Sequence, residues 1–275
     1  MARIERQFAG RPLILEAGKM ARQADGSCTV QFGDTMVLCT ATAQDHPTHL
    51  PFFPLTVEYR ERTYAAGKIP GGFIKREGRP SDKEILAARL IDRPLRPLFP
   101  EGFANETQIF VYVVSADQEN DADVISLTAA SLALNMSRIP FHEPVAAVRI
   151  GRIQGQWVLN PTFQQLEYSE LDIIIAGSEG AIMMVEGRAL EVPEAEIAEG
   201  LQVAHEGIKE LIGIQKEMLA LLEIPADLKW TAKDVDPSLR ERITGILTSR
   251  IREALNIADK AERNTALSTA RSETA

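Results

Sequence analysis

Polar and apolar positions alternate through residues 27–32, and residues 35–42 carry the apolar run Met36-Val37-Leu38-Cys39 between threonines. Together they predict a pair of strands turning at Gly33-Asp34, a dipeptide suited to a hairpin. Val30, Phe32, Met36 and Leu38 supply their apolar faces, and the residues ahead of them read as a short N-terminal arm. Residues 52–59 and the β-branched and aromatic run 108–115 predict two more strands. Between these, Ser81 with Glu84 forms a capping box, and Leu86 with Leu90 marks the buried side of the helix it opens. Pro94, Pro97 and Pro100 close that helix and leave Arg96 beyond it. A second helix runs from Asp121-Ala122-Asp123 to about residue 137, where Ala129, Ala130, Ser131 and Ala133 suit close packing on a sheet. Two hairpins follow, 145–150 with 156–159 and 171–176 with 181–187.

From about Pro193 the period changes. Residues 194–222 are helical in pattern, with Leu201, Ile208, Leu211 and Ile212 as core positions, until Pro225 breaks the run. A further helix, interrupted, covers 237–270, and the Ser, Thr and Ala-rich tail 264–275 shows no core face and is expected to fray. The pattern predicts an α+β fold followed by an all-helical segment.

Composition adds limits. Two cysteines in apolar, strand-like surroundings, Cys28 and Cys39, read as reduced core thiols in the cytoplasm. No apolar run is long enough to cross a bilayer, and the start lacks the apolar core of a signal peptide, so no membrane contact is expected. The net charge of −9 argues against general nucleic-acid binding. Its distribution argues otherwise. Residues 60–96 hold ten Lys/Arg against five acids, a local +5 that leaves about −14 for the rest. A basic island in an acidic chain points to a focused anionic ligand.

At the centre of that island lies Gly71-Gly72-Phe73-Ile74-Lys75-Arg76-Glu77-Gly78-Arg79-Pro80. Phe73 offers a stacking face, and Lys75, Arg76 and Arg79 offer charge to phosphates, the combination that single-stranded nucleic acid requires. From composition alone, a Gly-rich surface loop with solvated charges competes with this reading. Catalytic motifs are missing elsewhere: no G-x-S-x-G, no Walker A loop and no G-x-G-x-x-G after a strand occur. His46 and His49 are too few for a metal site and read as a solvated loop. Asp117, Glu119, Asp121 and Asp123 cluster at a helix start; such a cluster suits a cation, while the helix dipole is the simpler account of acids there.

Gly33-Asp34-Thr35, Phe52-Phe53-Pro54-Leu55-Thr56-Val57-Glu58-Tyr59, the run from Gly71 to Ser81, Ile91-Asp92-Arg93-Pro94-Leu95-Arg96-Pro97-Leu98-Phe99-Pro100 and Ala176-Gly177 resemble the bacterial polynucleotide phosphorylase (polyribonucleotide nucleotidyltransferase) family. The resemblance implies a ribonuclease PH-like core, of the ribosomal protein S5 domain 2-like type, over residues 1–225. The start of an all-helical linker domain would occupy 226–275. It also implies a ring-shaped homotrimer that shortens single-stranded RNA from its 3′ end in mRNA degradation. Inorganic phosphate and magnesium are used, nucleoside diphosphates are released, and RNA-degradosome proteins are candidate partners. The chain resembles only the first of the family's two cores, the non-catalytic one. The catalytic core's two carboxylates and lysine fall here on Leu166, Asp172 and Ile174, so only Asp172 survives and neither catalytic nor magnesium-binding residues are expected. Its serine-rich phosphate-binding stretch falls on Asp121-Ala122-Asp123, where acids repel phosphate.

The family's Phe-Phe-Arg-Arg constriction, which lines the ring's RNA path, falls on Phe73, Ile74, Lys75 and Arg76. Ile74 removes a stacking ring worth roughly 1–3 kcal/mol, and Lys75 keeps charge without a planar guanidinium. Arg79 matches an arginine that contacts phosphate and is expected on the RNA backbone. The resemblance also admits a non-catalytic RNA-binding scaffold subunit of an exosome-like ring. A free-standing ribonuclease PH-type enzyme is disfavoured by Leu166 and Ile174.

Overall fold

The computed structural model describes residues 1–73, 76–231 and 236–274. Two compact units divide the chain, Met1–Thr231 and Ala232–Ala275. The first unit is built on a six-stranded sheet of β1 (Ala2–Phe8), β2 (Arg11–Ala17), β3 (Gly26–Phe32), β4 (Thr35–Pro47), β5 (Leu55–Glu61) and β6 (Asn105–Ser115). Their spatial order is β1-β2-β3-β4-β6-β5. All pairs are antiparallel except β5 with β6, whose parallel pairing requires a long crossover. Helix α1 (Asp82–Leu95) lies in that crossover.

The expected N-terminal arm is instead the hairpin β1–β2. Ile4 and Phe8 on one strand and Leu13, Leu15 and Ala17 on the other are buried, and the chain reverses at Ala9 and Gly10 with φ of 45° and 76°. The alternation Leu13, Leu15, Ala17 carries that signal in the sequence. The Gly33-Asp34 hairpin forms as expected, with Phe32 paired to Thr35 and Gly33 at φ 60°. Cys28 and Cys39 face each other across it, both buried and unbridged. Burial pushes the Cys28 thiol up to about 12.

Helix α2 (Ala122–Asn135) is buried along its whole length, because it packs on β3 and β4 and also on β7 of a second sheet. Small residues make this approach close enough that a Cβ on Gly26 would lie 1.9 Å from the Ala133 carbonyl oxygen. The second sheet holds β7 (Ala146–Ile153), β8 (Gln156–Leu159), β9 (Leu171–Gly177) and β10 (Ile182–Ala189) in the order β10-β9-β7-β8. The four-residue helix α3 (Phe163–Leu166), which the pattern did not predict, links β8 to β9. Helix α4 (Glu194–Leu219) covers the second sheet with Ala204, Ile208, Leu211 and Ile212 buried, while Leu201 is only half-buried. It ends before Pro225 is reached.

The capping box of α1 is present in both directions: Ser81 Oγ accepts from the Glu84 amide, and Glu84 accepts from the Ser81 amide. Pro94 sits inside the last turn and Arg96 lies just beyond the helix. In the second unit, α5 (Pro237–Leu255) and α6 (Lys260–Ser272) form a helical pair. The stretch expected to fray is helical through Ser272. Asp259 caps α6 by accepting from the Ala261 and Glu262 amides, and Glu273 pairs with Arg250 of α5.

Candidate nucleic-acid interface and a charge-closed cleft

Past β5 the chain makes a short 3-10 turn over Thr63–Ala66, closed by Gly67 in the left-handed region. The basic loop that follows is fastened by an acid. Glu77 accepts from the Thr63 amide at 3.1 Å and the Thr63 hydroxyl at 2.6 Å, and Arg62 lies 3.6 Å away. These Thr63 bonds, with help from Arg62, hold the Glu77 carboxyl below the usual carboxylate range. Arg62 in turn lies over the Tyr112 ring at 5.5 Å. So the loop's C-terminal side is tied to the sheet, while Phe73 is fully exposed. Arg76 and Arg79 are exposed and make no ion pair among the described residues. Ile74 and Lys75, singled out from the sequence, lie outside the described residues. Sequence reasoning missed the anchor, although one acid in a basic loop was its signal.

Arg89, Arg93 and Arg96, at i, i+4 and i+7 along α1 and just past it, differ in their partners. Arg93 pairs with Glu186 of β10, and Arg96 pairs with Asp92 and donates to the Phe53 and Leu55 carbonyls. Arg89 is exposed and makes no ion pair among the described residues.

Two members of the acidic cluster, Asp121 and Asp123, belong to an ion-pair network rather than serving the helix dipole alone. Arg149 of β7 reaches Asp123 at 2.8 Å, Asp121 at 3.2 Å and Asp172 at 3.7 Å, and Lys83 adds a contact of 3.1 Å to Asp121. Asp121 makes no side-chain capping bond to α2. Burial, then the neighbouring Asp121, raises the Asp123 carboxyl to about 6 despite Arg149. Asp117 does something else. Its carboxylate accepts from the Thr35 hydroxyl and from the Glu119 and Asn120 amides, clasping the hairpin turn to the start of α2. Arg149 was not singled out from the sequence, yet a lone arginine between Val148 and Ile150 in an apolar strand is a signal that buried carboxylates await it.

Asp121, Asp123, Arg149, Asp172 and Ile174 line a cleft of about 610 Å³ between α1 and the second sheet. The three carboxylates that meet there already share a guanidinium and an ammonium, and Ile174 brings no oxygen. These residues do not fit magnesium, whose octahedral shell needs free oxygens. The buried Asp121 and Asp123 present negative charge where a phosphate would have to sit. His46 and His49 are exposed, and among the described residues no group of three or more His, Cys, Asp or Glu could hold a metal ion. No described helix is long and apolar enough to cross a membrane.

A sheet-helix-sheet unit carrying an exposed aromatic and basic loop and a cleft closed by its own charges matches a known class. Residues 9–140 match the first domain, and residues 143–207 the second, of the 3′ exoribonuclease family, whose domains are the ribonuclease PH type. The chain belongs to this family. Within it, the chain is similar to bacterial proteins named polyribonucleotide nucleotidyltransferase. It is 61% identical to that of Gemmatimonas aurantiaca over 96% of this chain and 36% of the relative. It is 49% identical to that of Halalkalibacterium halodurans, over 94% of this chain and 37% of the relative. The Thermus thermophilus protein is also 49% identical, over 96% and 37%. The chain thus spans little more than a third of the length of these relatives.

Proposed function

We propose that this chain is the RNA-guiding, non-catalytic core of a phosphorolytic 3′-to-5′ exoribonuclease. In the whole protein a second core would perform the transfer, with magnesium and inorganic phosphate, releasing nucleoside diphosphates in the cytoplasm. The observation that carries this reading is the loop: Phe73 stands fully exposed beside Arg76 and Arg79, on a loop fastened at Glu77. A pinned aromatic with cations beside it suits a single strand, because the base stacks on the ring while the backbone follows the charges. The Arg149 network supports placing the chemistry elsewhere, since it consumes the one surviving carboxylate, Asp172. Phe73, Ile74, Lys75, Arg76 and Arg79 form the proposed RNA contact. The division into a core over 1–225 and a helical segment over 226–275, the homotrimer and contacts with degradosome proteins belong to the same proposal.

The test is RNA binding by the assembled protein across a salt series. Changing Lys75, Arg76 and Arg79 to Ala should weaken binding and flatten the salt slope by about two, at roughly 0.7 per phosphate contact on a single strand. Unchanged affinity and slope would remove the loop from the RNA path.

A further inference from the structure

The free edge of β5 carries an opening that the RNA reading leaves unexplained. β5 is the last strand of its sheet and pairs only with β6. The Pro54 carbonyl accepts from Thr107 of β6, so even-numbered positions direct their backbone groups inward. Backbone groups alternate sides along a strand, and the odd-numbered positions Leu55, Val57, Tyr59 and Glu61 therefore face outward.

Helix α1 runs beside that edge. From Glu84 to Arg96 it rises about 18 Å, and β5 from Leu55 to Glu61 spans about 20 Å. The two ends of the edge are closed by this helix. Arg96 donates to the Leu55 carbonyl, and Glu84 accepts from the Glu61 amide. Between these caps the amides and carbonyls of Val57 and Tyr59 have no hydrogen-bond partner among the described residues. They open on a groove of about 420 Å³ whose far wall includes Ile85, Ala88 and Arg89.

The groove holds three acids and three arginines, and they are partnered unequally. Glu84 is engaged by the Glu61 and Ser81 amides, Asp92 by Arg96, and Glu58 lies 3.6 Å from Arg60. Arg89, midway along the wall, has no ion-pair partner among the described residues. Unpaired backbone on an edge strand recruits another strand, and an uncompensated arginine selects what that strand carries. We propose that this groove receives an extended, carboxylate-bearing peptide segment that pairs with Val57 and Tyr59 of β5 and sets an acidic side chain against Arg89.

The test uses the intact chain and a capped Val-Glu-Val-Glu-Val peptide, with Val-Lys-Val-Lys-Val as its counterpart. Binding is followed by hydrogen exchange, read by mass spectrometry over residues 55–61. The glutamate peptide should slow exchange there and bind about tenfold more tightly than the lysine peptide, the worth of one charge-assisted hydrogen bond. Arg89→Glu should reverse that preference, and Ala88→Trp should abolish binding of both peptides, each variant first shown to melt as the parent does. Equal binding of the two peptides, or no slowing at 55–61 under saturation, overturns the proposal. So does protection of 55–61 in the free chain that grows with protein concentration, which would assign the edge to a second copy.

Discussion

Arg149 shows how one side chain decides what a cleft can do. It is nearly buried and touches three carboxylates, so its removal takes the ion-pair partner from Asp123 and Asp172 and leaves Asp121 with Lys83 alone. Arg149→Ala should destabilise by about 3–5 kcal/mol at neutral pH, measured by urea unfolding. The loss should lessen in acid. Burial and the neighbouring Asp121 hold the Asp123 carboxyl above its ordinary 3.8, and without Arg149 it would rise further. A carboxyl with a raised folded-state value binds its proton more tightly folded than unfolded, so stability falls as pH rises through that window. Asp117 behaves oppositely. Partial burial works against its charge, but hydrogen bonds from Asn120, Glu119 and Thr35 outweigh this and bring it down to about 2. Asp117→Asn should therefore cost about 1 kcal/mol at neutral pH, allowing for solvent screening. The difference from the parent should vanish as pH falls from about 4 toward 2.

At the scale of elements, small residues set how closely helix and sheet approach. Gly26 lets β3 pass under α2 at a distance no side chain tolerates, since an added Cβ would meet the Ala133 backbone. Gly26→Ala must push the helix away, and a cost of about 2–3 kcal/mol is expected from overpacking, read as a lowered unfolding midpoint. A matching Ala at Gly67 should cost less, because nothing lies within 4 Å and only the left-handed φ resists it. The elements themselves were mostly legible. The Gly33-Asp34 turn, the Ser81–Glu84 box and the apolar run 108–115 are local signals, and each formed where local physics placed it. The β1–β2 hairpin was not recognised, because its polar outward face masks a short alternation. The interrupted helix expected over 237–270 forms as α5 and α6. Only the order of the tail past residue 264 departs from expectation, because it comes from the Asp259 cap and the Arg250–Glu273 pair rather than from an apolar stripe.

For the whole molecule, the decisive feature is a buried helix between two sheets together with an exposed aromatic and basic loop. If the transfer belongs to another core, as proposed, the chain incubated with RNA, phosphate and magnesium should release no nucleoside diphosphate. Release that depends on phosphate would overturn the assignment of chemistry to another core. Phe73→Ala belongs to the same scale, because a lost stack of roughly 1–3 kcal/mol matters only if RNA passes that loop.

What the sequence by itself determined is whatever depends on neighbours along the chain: strand and helix periods, caps, turns and the basic island. Tertiary structure alone decided the rest. Arg149 lies 26 residues after Asp123 and 23 before Asp172, and Glu77 lies 14 after Thr63. Nothing local pairs such groups, and only the stacking of α2 between the sheets and the return of the loop to the end of β5 bring them within reach. The same holds for the free window on β5, which exists because α1 closes the two ends of that edge and leaves its middle open.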